Sequence, residues 1–218
     1  MTATVTKRAA EVEAPASIFS ALTDEQLAAR AQDGSRDAFA EIVRRYYPRL
    51  RSFMLRRTGN LADAEDAAQD GLLRAWQRIY TYQRGRPLRP WLFTIAARQG
   101  AQTMQRHSQQ LQRLRDAAPD HQRRAAEANR AAQPLRLINE RDDFGEAWRI
   151  AERLLSRDQL SCLWLRYVEN MEPRQISQAL GKSGVAVRVS LLRARATIAE
   201  ELRRQRDEHA SETSEIKP

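Results

Sequence analysis

Cysteine is nearly missing from this sequence: Cys162 is the single one, so no internal disulfide can form. Its apolar surroundings mark it as a small packing thiol rather than a reactive group. The three histidines, His107, His121 and His209, are scattered, and none stands near a carboxylate cluster. That spacing offers no zinc site and no metal-assisted or nucleophilic catalytic centre, so neither a cofactor nor enzymatic activity is expected. No stretch reaches the roughly eighteen consecutive apolar residues of a membrane span, and Met1 to Ser20 lacks the basic start and apolar core of a signal peptide. A cytoplasmic chain without membrane insertion is expected. Glycine is scarce, at 8 residues, and no alternating run of Val, Ile or Thr marks a strand. Long stretches of Ala, Arg, Gln, Glu and Leu favour helix instead, which predicts an all-α fold.

What is abundant is positive charge. Against 28 acidic residues stand 37 Lys and Arg, for a net charge of +9 and an isoelectric point near 10.5. Such an excess suits a polyanion, because each cation placed on a phosphate releases a condensed counterion. Nucleic acid is the leading partner class.

The chain divides into two helical blocks, joined by a flexible linker over residues 107–143. In the first, residues 21–106, Phe39, Ile42, Val43, Tyr46, Tyr47, Leu50, Phe53 and Met54 recur at helical spacing, with Pro48 expected to bend or interrupt the helix. A second helix follows Thr58-Gly59-Asn60 to about Tyr80, and a third starts near Pro90 and hides Leu92, Ile95 and Ala96. In the second block, residues 144–204, Phe144, Ala147, Trp148, Ala151, Leu154 and Leu155 form one stripe. Ser156 and Gln159 match a capping box, and Leu160, Leu163, Trp164 and Tyr167 form the inner face of the next helix. The tails, residues 1–20 and 205–218, are polar, and the chain is expected to fray after Arg203.

From Pro173 to about Arg195 the sequence reads as a helix-turn-helix. Pro173 suits a first helical position, Ile176, Ala179 and Leu180 give an inner face, and Gly181 supplies the left-handed residue that ends the helix. Ser183 can cap the second helix. There Val185, Val189, Leu192, Ala196 and Ala199 share one face, taken as the packed one, which turns Ser183 and Ser190 outward and sets Arg188, Arg193 and Arg195 on the flanks. Arginines so placed can fork onto guanine or clamp phosphates. A plain helical hairpin in a bundle is the bland alternative.

One acidic face stands out in a basic protein. Asp66, Gln69, Asp70 and Leu73 share a side of the second helix; favourable charge at a helix N-terminus accounts for Asp63 and Glu65 but not for Asp70 a turn later. A basic protein surface is the sharper reading. Downstream, Trp76, Tyr80 and Tyr82 are interleaved with Arg74, Arg78, Arg84, Arg86 and Arg89, a pattern suited to single-stranded nucleic acid, although Trp76 and Tyr80 would also serve as core.

Taken in order, AFAEIVRRYYPRLRSF, AEDAAQDGLLRAW and RPWLFTIAAR, followed by LLSRDQLSCLWLRYVENMEPRQISQALG and VRVSLLRARATI, resemble a bacterial sigma factor of the extracytoplasmic-function group. The resemblance implies that Asp66, Gln69, Asp70 and Leu73 bind the basic coiled coil of the largest RNA polymerase subunit, with the flap of the second largest as a further contact. It implies that Trp76, Tyr80, Arg84, Arg86, Trp91, Arg98, Gln102 and Arg106 capture the minus-10 element and hold its melted strand. Arg174, Ser183, Arg188, Ser190 and Arg193 would read the double-stranded minus-35 element, the linker would thread the polymerase cleft, and an anti-sigma factor would be an inhibitory partner. Some positions depart from the family pattern: Arg98 and Gln102 stand where Asn and Asp are usual, and Ser190 where Arg is frequent. Gly71 and Leu72 replace bulkier residues, which predicts looser packing. A free DNA-binding regulator that never joins polymerase is the competing reading.

Overall fold

The computed structural model describes residues 16–117 and 145–215, and among these every regular element is helical. Five helices make the first block: α1 (Ala16–Ser20), α2 (Asp24–Gln32), α3 (Arg36–Thr58), α4 (Leu61–Gln77) and α5 (Leu88–Ala117). Four make the second: α6 (Gly145–Leu154), α7 (Arg157–Leu163), α8 (Pro173–Leu180) and α9 (Gly184–Glu215).

Local chemistry sets most of these boundaries. Asn60 opens α4 by accepting the Asp63 amide at 3.1 Å. Ser156 and Gln159 exchange the two bonds of the expected capping box at α7. Gly59 and Gly181 end α3 and α8 at φ of 72° and 65°, a region costly for side chains with a Cβ. Arg45 satisfies chain carbonyls left open near α1, donating to those of Ser20 at 2.8 Å and Leu22 at 2.9 Å.

Other expectations need correction. α3 runs uninterrupted through Pro48. The proline is exposed while Tyr46 and Leu50 beside it are buried, so the carbonyl that loses its partner faces water and packing holds the other side. α5 continues to Ala117, so residues 107–117 are helix rather than linker; residues 118–144, including Phe144, lie outside the described residues. α9 reaches Glu215 without ending near Arg203. Glu201 bridges Arg153 of α6 and Arg204 one turn on, which ties this part of the helix to the body. Within the second block, a wide turn over Trp164–Val168 rotates Tyr167 to 50% exposure, off the inner face. Ala147 and Leu154 also face out, and Ile150 is buried in their stead.

The core of the first block packs Ile42, Leu50, Phe53 and Met54 of α3 against Ala64, Ala67 and Leu72 of α4 and Leu92, Phe93 and Ala96 of α5. Phe53 and Phe93 meet edge to face, 5.5 Å between centroids. Gly71 tightens this core rather than loosening it. A Cβ added there would lie 2.9 Å from the Ala96 Cβ and 3.0 Å from its Cα, so the α4–α5 crossing exists at this distance because residue 71 has no side chain. Alanine would recover about 1 kcal/mol of helix propensity, so Gly71→Val is the cleaner probe. Overpacking should cost about 1–3 kcal/mol, a fall in the thermal midpoint of roughly 2–4 °C per kcal/mol. A midpoint that stays put or rises in calorimetry would show that the crossing relaxes freely.

The two blocks are packed together, α7 against α3 and α8 against α5, and their buried residues form one continuous cluster. Charged groups inhabit this seam. The Arg56 guanidinium lies 3.9 Å from the Trp164 ring centroid and 5.3 Å from that of Trp148, and pairs with Glu152 at 3.1 Å. Burial pulls Arg56 down to about 10, with Glu152 opposing the shift. Glu169, fully buried, binds Arg49 at 2.6 Å, and its backbone carbonyl accepts from Arg89 at 2.9 Å. Burial pushes its carboxyl above the ordinary value despite both arginines.

Candidate nucleic-acid interface

The acidic face of α4 exists because alanines fill the other side. Ala64, Ala67, Ala68 and Ala75 are fully buried with Leu72, so helical spacing turns Asp66, Gln69, Asp70 and Leu73 toward solvent. Leu73 is 54% exposed, a large apolar side chain set beside carboxylates. Asp70, half-buried, accepts a bond from Gln99 at 3.3 Å. All four residues expected on this face lie on it.

The segment after α4 is held in one shape by a distant side chain. The two side-chain amide hydrogens of Gln32 in α2 are shared among the carbonyls of Ile79, Tyr80 and Tyr82, at 3.2, 3.2 and 2.9 Å, and its oxygen accepts from Arg84 at 2.7 Å. Arg84 also pairs with Asp33, so it helps to close the segment. Tyr82 is buried, donates to the Arg86 carbonyl and meets Trp91 edge to face at 5.7 Å. Tyr80 is left 74% exposed, with the Arg86 side chain exposed further along. Trp76 is half-buried against Phe39, 4.9 Å between centroids, and belongs to the core margin more than to the open face. Along α5, Arg98 and Gln102 are exposed; the Arg106 side chain lies outside the described residues. Gln32 was not legible as a functional residue, since nothing near it in sequence points to a loop about fifty positions away.

At the helix-turn-helix, Pro173 opens α8 and Ser183 caps α9 by accepting the Ala186 amide at 3.1 Å. Arg174, Ser183, Arg188 and Arg193 are exposed. Ser190 is not turned out: it is half-buried, beside the Cys162 thiol that burial pushes up. The packed face of α9 is also the opposite of the expected one. Val187, Leu191 and Ala194 are buried, while Val185, Val189 and Leu192 are 62%, 38% and 61% exposed. Both sides carry apolar residues at helical spacing, and docking on α6, α7 and α8 decides between them.

Among the described residues no group of three or more His, Cys, Asp or Glu is placed to hold a metal, and no helix is long and apolar enough to cross a membrane. The Sigma-70 region 2 pattern matches residues 42–110, and the Sigma-70, region 4 pattern matches residues 153–198, together more than half of the chain. The chain is similar to the ECF RNA polymerase sigma factor BldN of Streptomyces coelicolor, 29% identical over 177 residues that cover 80% of this chain and 64% of that protein. It is similar also to the ECF RNA polymerase sigma factor SigG of Mycobacterium tuberculosis, 28% identical over 191 residues, 76% of this chain and 49% of the relative. The chain therefore spans between about half and two thirds of the length of these relatives. In three dimensions it resembles the sigma factor RpoE solved in complex with the anti-sigma factor NepR from Bartonella quintana, with a TM-score of 0.58 over 76% of this chain and 96% of that one. At 21% identity that likeness is one of fold.

Proposed function

This chain belongs to the extracytoplasmic-function group of the sigma-70 family, and on that premise we propose that it binds core RNA polymerase and directs promoter recognition, melting and initiation of transcription. It has no catalytic centre of its own in this reading; it supplies surfaces, and polymerase supplies the chemistry.

The observation that carries the proposal is the α4 face. In a chain with a net charge of +9, Asp66, Gln69, Asp70 and the exposed Leu73 form an acidic patch with an apolar residue at one end, suited to a basic coiled coil of the largest polymerase subunit. The flap of the second largest subunit is a further contact. Immediately beyond, Tyr80 offers an open ring on which a base from a melted strand can stack, a contact worth about 1–3 kcal/mol. Arg86, Arg98, Gln102 and Arg106 would follow the minus-10 strand alongside it, with Trp91 supporting the loop through Tyr82. Arg174, Ser183, Arg188 and Arg193 would meet the double-stranded minus-35 element, with α9 in the major groove. An anti-sigma factor as inhibitory partner is part of the proposal, in keeping with the fold it shares with a sigma factor held by one.

The test is to add the full chain to bacterial core polymerase on a genomic DNA library and sequence the transcripts that begin. Starts should cluster downstream of two elements at fixed spacing, absent with core alone. If core and protein neither bind one another nor give new starts, the competing reading, a DNA-binding regulator independent of polymerase, takes over.

A further inference from the structure

On the face of α9 that the body leaves open, Val185, Val189 and Leu192 are 62%, 38% and 61% exposed, and Ala196 continues the stripe. Helical spacing puts these residues in line. Arg188 and Arg195 run along one edge and Arg193 along the other, all exposed. The open centre of this recognition helix is therefore apolar, with its cations at the borders. From this arrangement we infer that α9 reads thymine, through the C5 methyl groups that project into the major groove, and that Val185, Val189 and Leu192 set the sequence preference of the upstream element while the arginines hold phosphates. The inference rests on the promoter-binding reading above and deepens it.

The chemistry of the groove selects this base. A helix about 10–12 Å across fills a major groove about 12 Å wide, so the outward stripe meets base edges and the borders meet the two phosphate strands. Valine and leucine can neither donate to guanine O6 and N7 nor accept from the cytosine amino group. Placed over a G·C pair, they would strip water from those groups without replacing it. Over thymine the same side chains bury a methyl. The arginines at the borders are poorly aimed at base edges, so of the two contacts open to Arg188 and Arg193, a fork onto guanine or a clamp on phosphate, the second is favoured. Ser190, half-buried, contributes no base contact. An apolar stripe between basic edges would also suit an acidic amphipathic helix from a protein partner. The cations on both borders favour DNA, because they match two phosphate strands flanking a groove.

The experiment uses the reconstituted complex of core polymerase and the full chain, and a duplex promoter whose upstream element is randomised. Selected elements should be rich in thymine on one strand or the other. Each thymine is then replaced by deoxyuridine, which removes the methyl and nothing else. Binding should fall about fourfold at each contacted position, the worth of one buried methyl-sized group. Val189→Ala with Leu192→Ala should abolish that difference at the positions those two side chains cover, while a position under Val185 keeps it. Arg188→Ala and Arg193→Ala should instead weaken binding to every sequence and lower the slope of log affinity against log salt by about one each. If deoxyuridine is neutral everywhere while the arginine variants still weaken binding, the thymine inference is wrong and promoter recognition stands. If the alanine pair leaves DNA binding intact but releases a protein partner, the stripe is a protein-docking surface. Failure to select any element removes the underlying reading together with this one.

Discussion

Reversing two charges, Asp66→Arg with Asp70→Arg, is expected to weaken binding to core polymerase by a hundredfold or more while binding of the protein to isolated promoter DNA is unchanged or slightly stronger. Both carboxylates lie on the outward side of α4, so the substitution does not disturb the alanine-filled seam beneath. Placing like charges against a basic partner costs several kcal/mol, and each 1.4 kcal/mol is a factor of ten. Asp70 also accepts from Gln99 at 3.3 Å, so circular dichroism and a thermal midpoint within a few degrees of the parent should accompany the measurement. Surface capture of core polymerase at two salt concentrations decides the matter. Undiminished capture by the double variant would transfer the whole assignment to the free-regulator reading.

The second large effect concerns the seam between the blocks. Arg56→Ala removes a guanidinium that is 7% exposed, lies against two tryptophan rings and pairs with Glu152. Truncating one member of a buried ion pair leaves the other charge without compensation and costs about 3–5 kcal/mol. In a chain of this size that amounts to a fall in the thermal midpoint of roughly 6 °C or more. Arg56→Met, which keeps the volume between the rings without the charge, should lose less when combined with Glu152→Gln than Arg56→Ala does alone, since replacing both partners removes the uncompensated carboxylate. Differential scanning calorimetry of the three proteins checks the order. If Arg56→Ala melts within a degree of the parent, the ring-and-carboxylate cage does not hold the blocks together.

Much of the architecture was legible because it is decided locally. The capping box at Ser156 and Gln159, Pro173 at the head of α8 and Gly181 at its end all follow from which backbone groups a single residue can satisfy. The acidic face of α4 was legible for a similar reason: alanines on one side and carboxylates on the other leave a single way to pack. Where the sequence allows two answers, only the tertiary structure chooses. On α9, Val185, Val189 and Leu192 compete with Val187, Leu191 and Ala194 for the interior, and the set chosen as packed from the sequence is the exposed one. The seam was illegible for a different reason. Arg49, Arg56 and Arg89 look like more of the basic surface until Glu169 and Glu152, on average some hundred positions away in the chain, are brought against them.

Gln32 has a kinetic consequence. Its two amide hydrogens, shared among the carbonyls of Ile79, Tyr80 and Tyr82, and its oxygen on Arg84 fix the shape of the segment that carries Tyr80 before any strand arrives. A segment ordered in advance loses little conformational freedom on capture. Its encounter with a strand is then governed by diffusion and long-range charge, so the association rate should respond to salt far more than to the length or sequence of the strand.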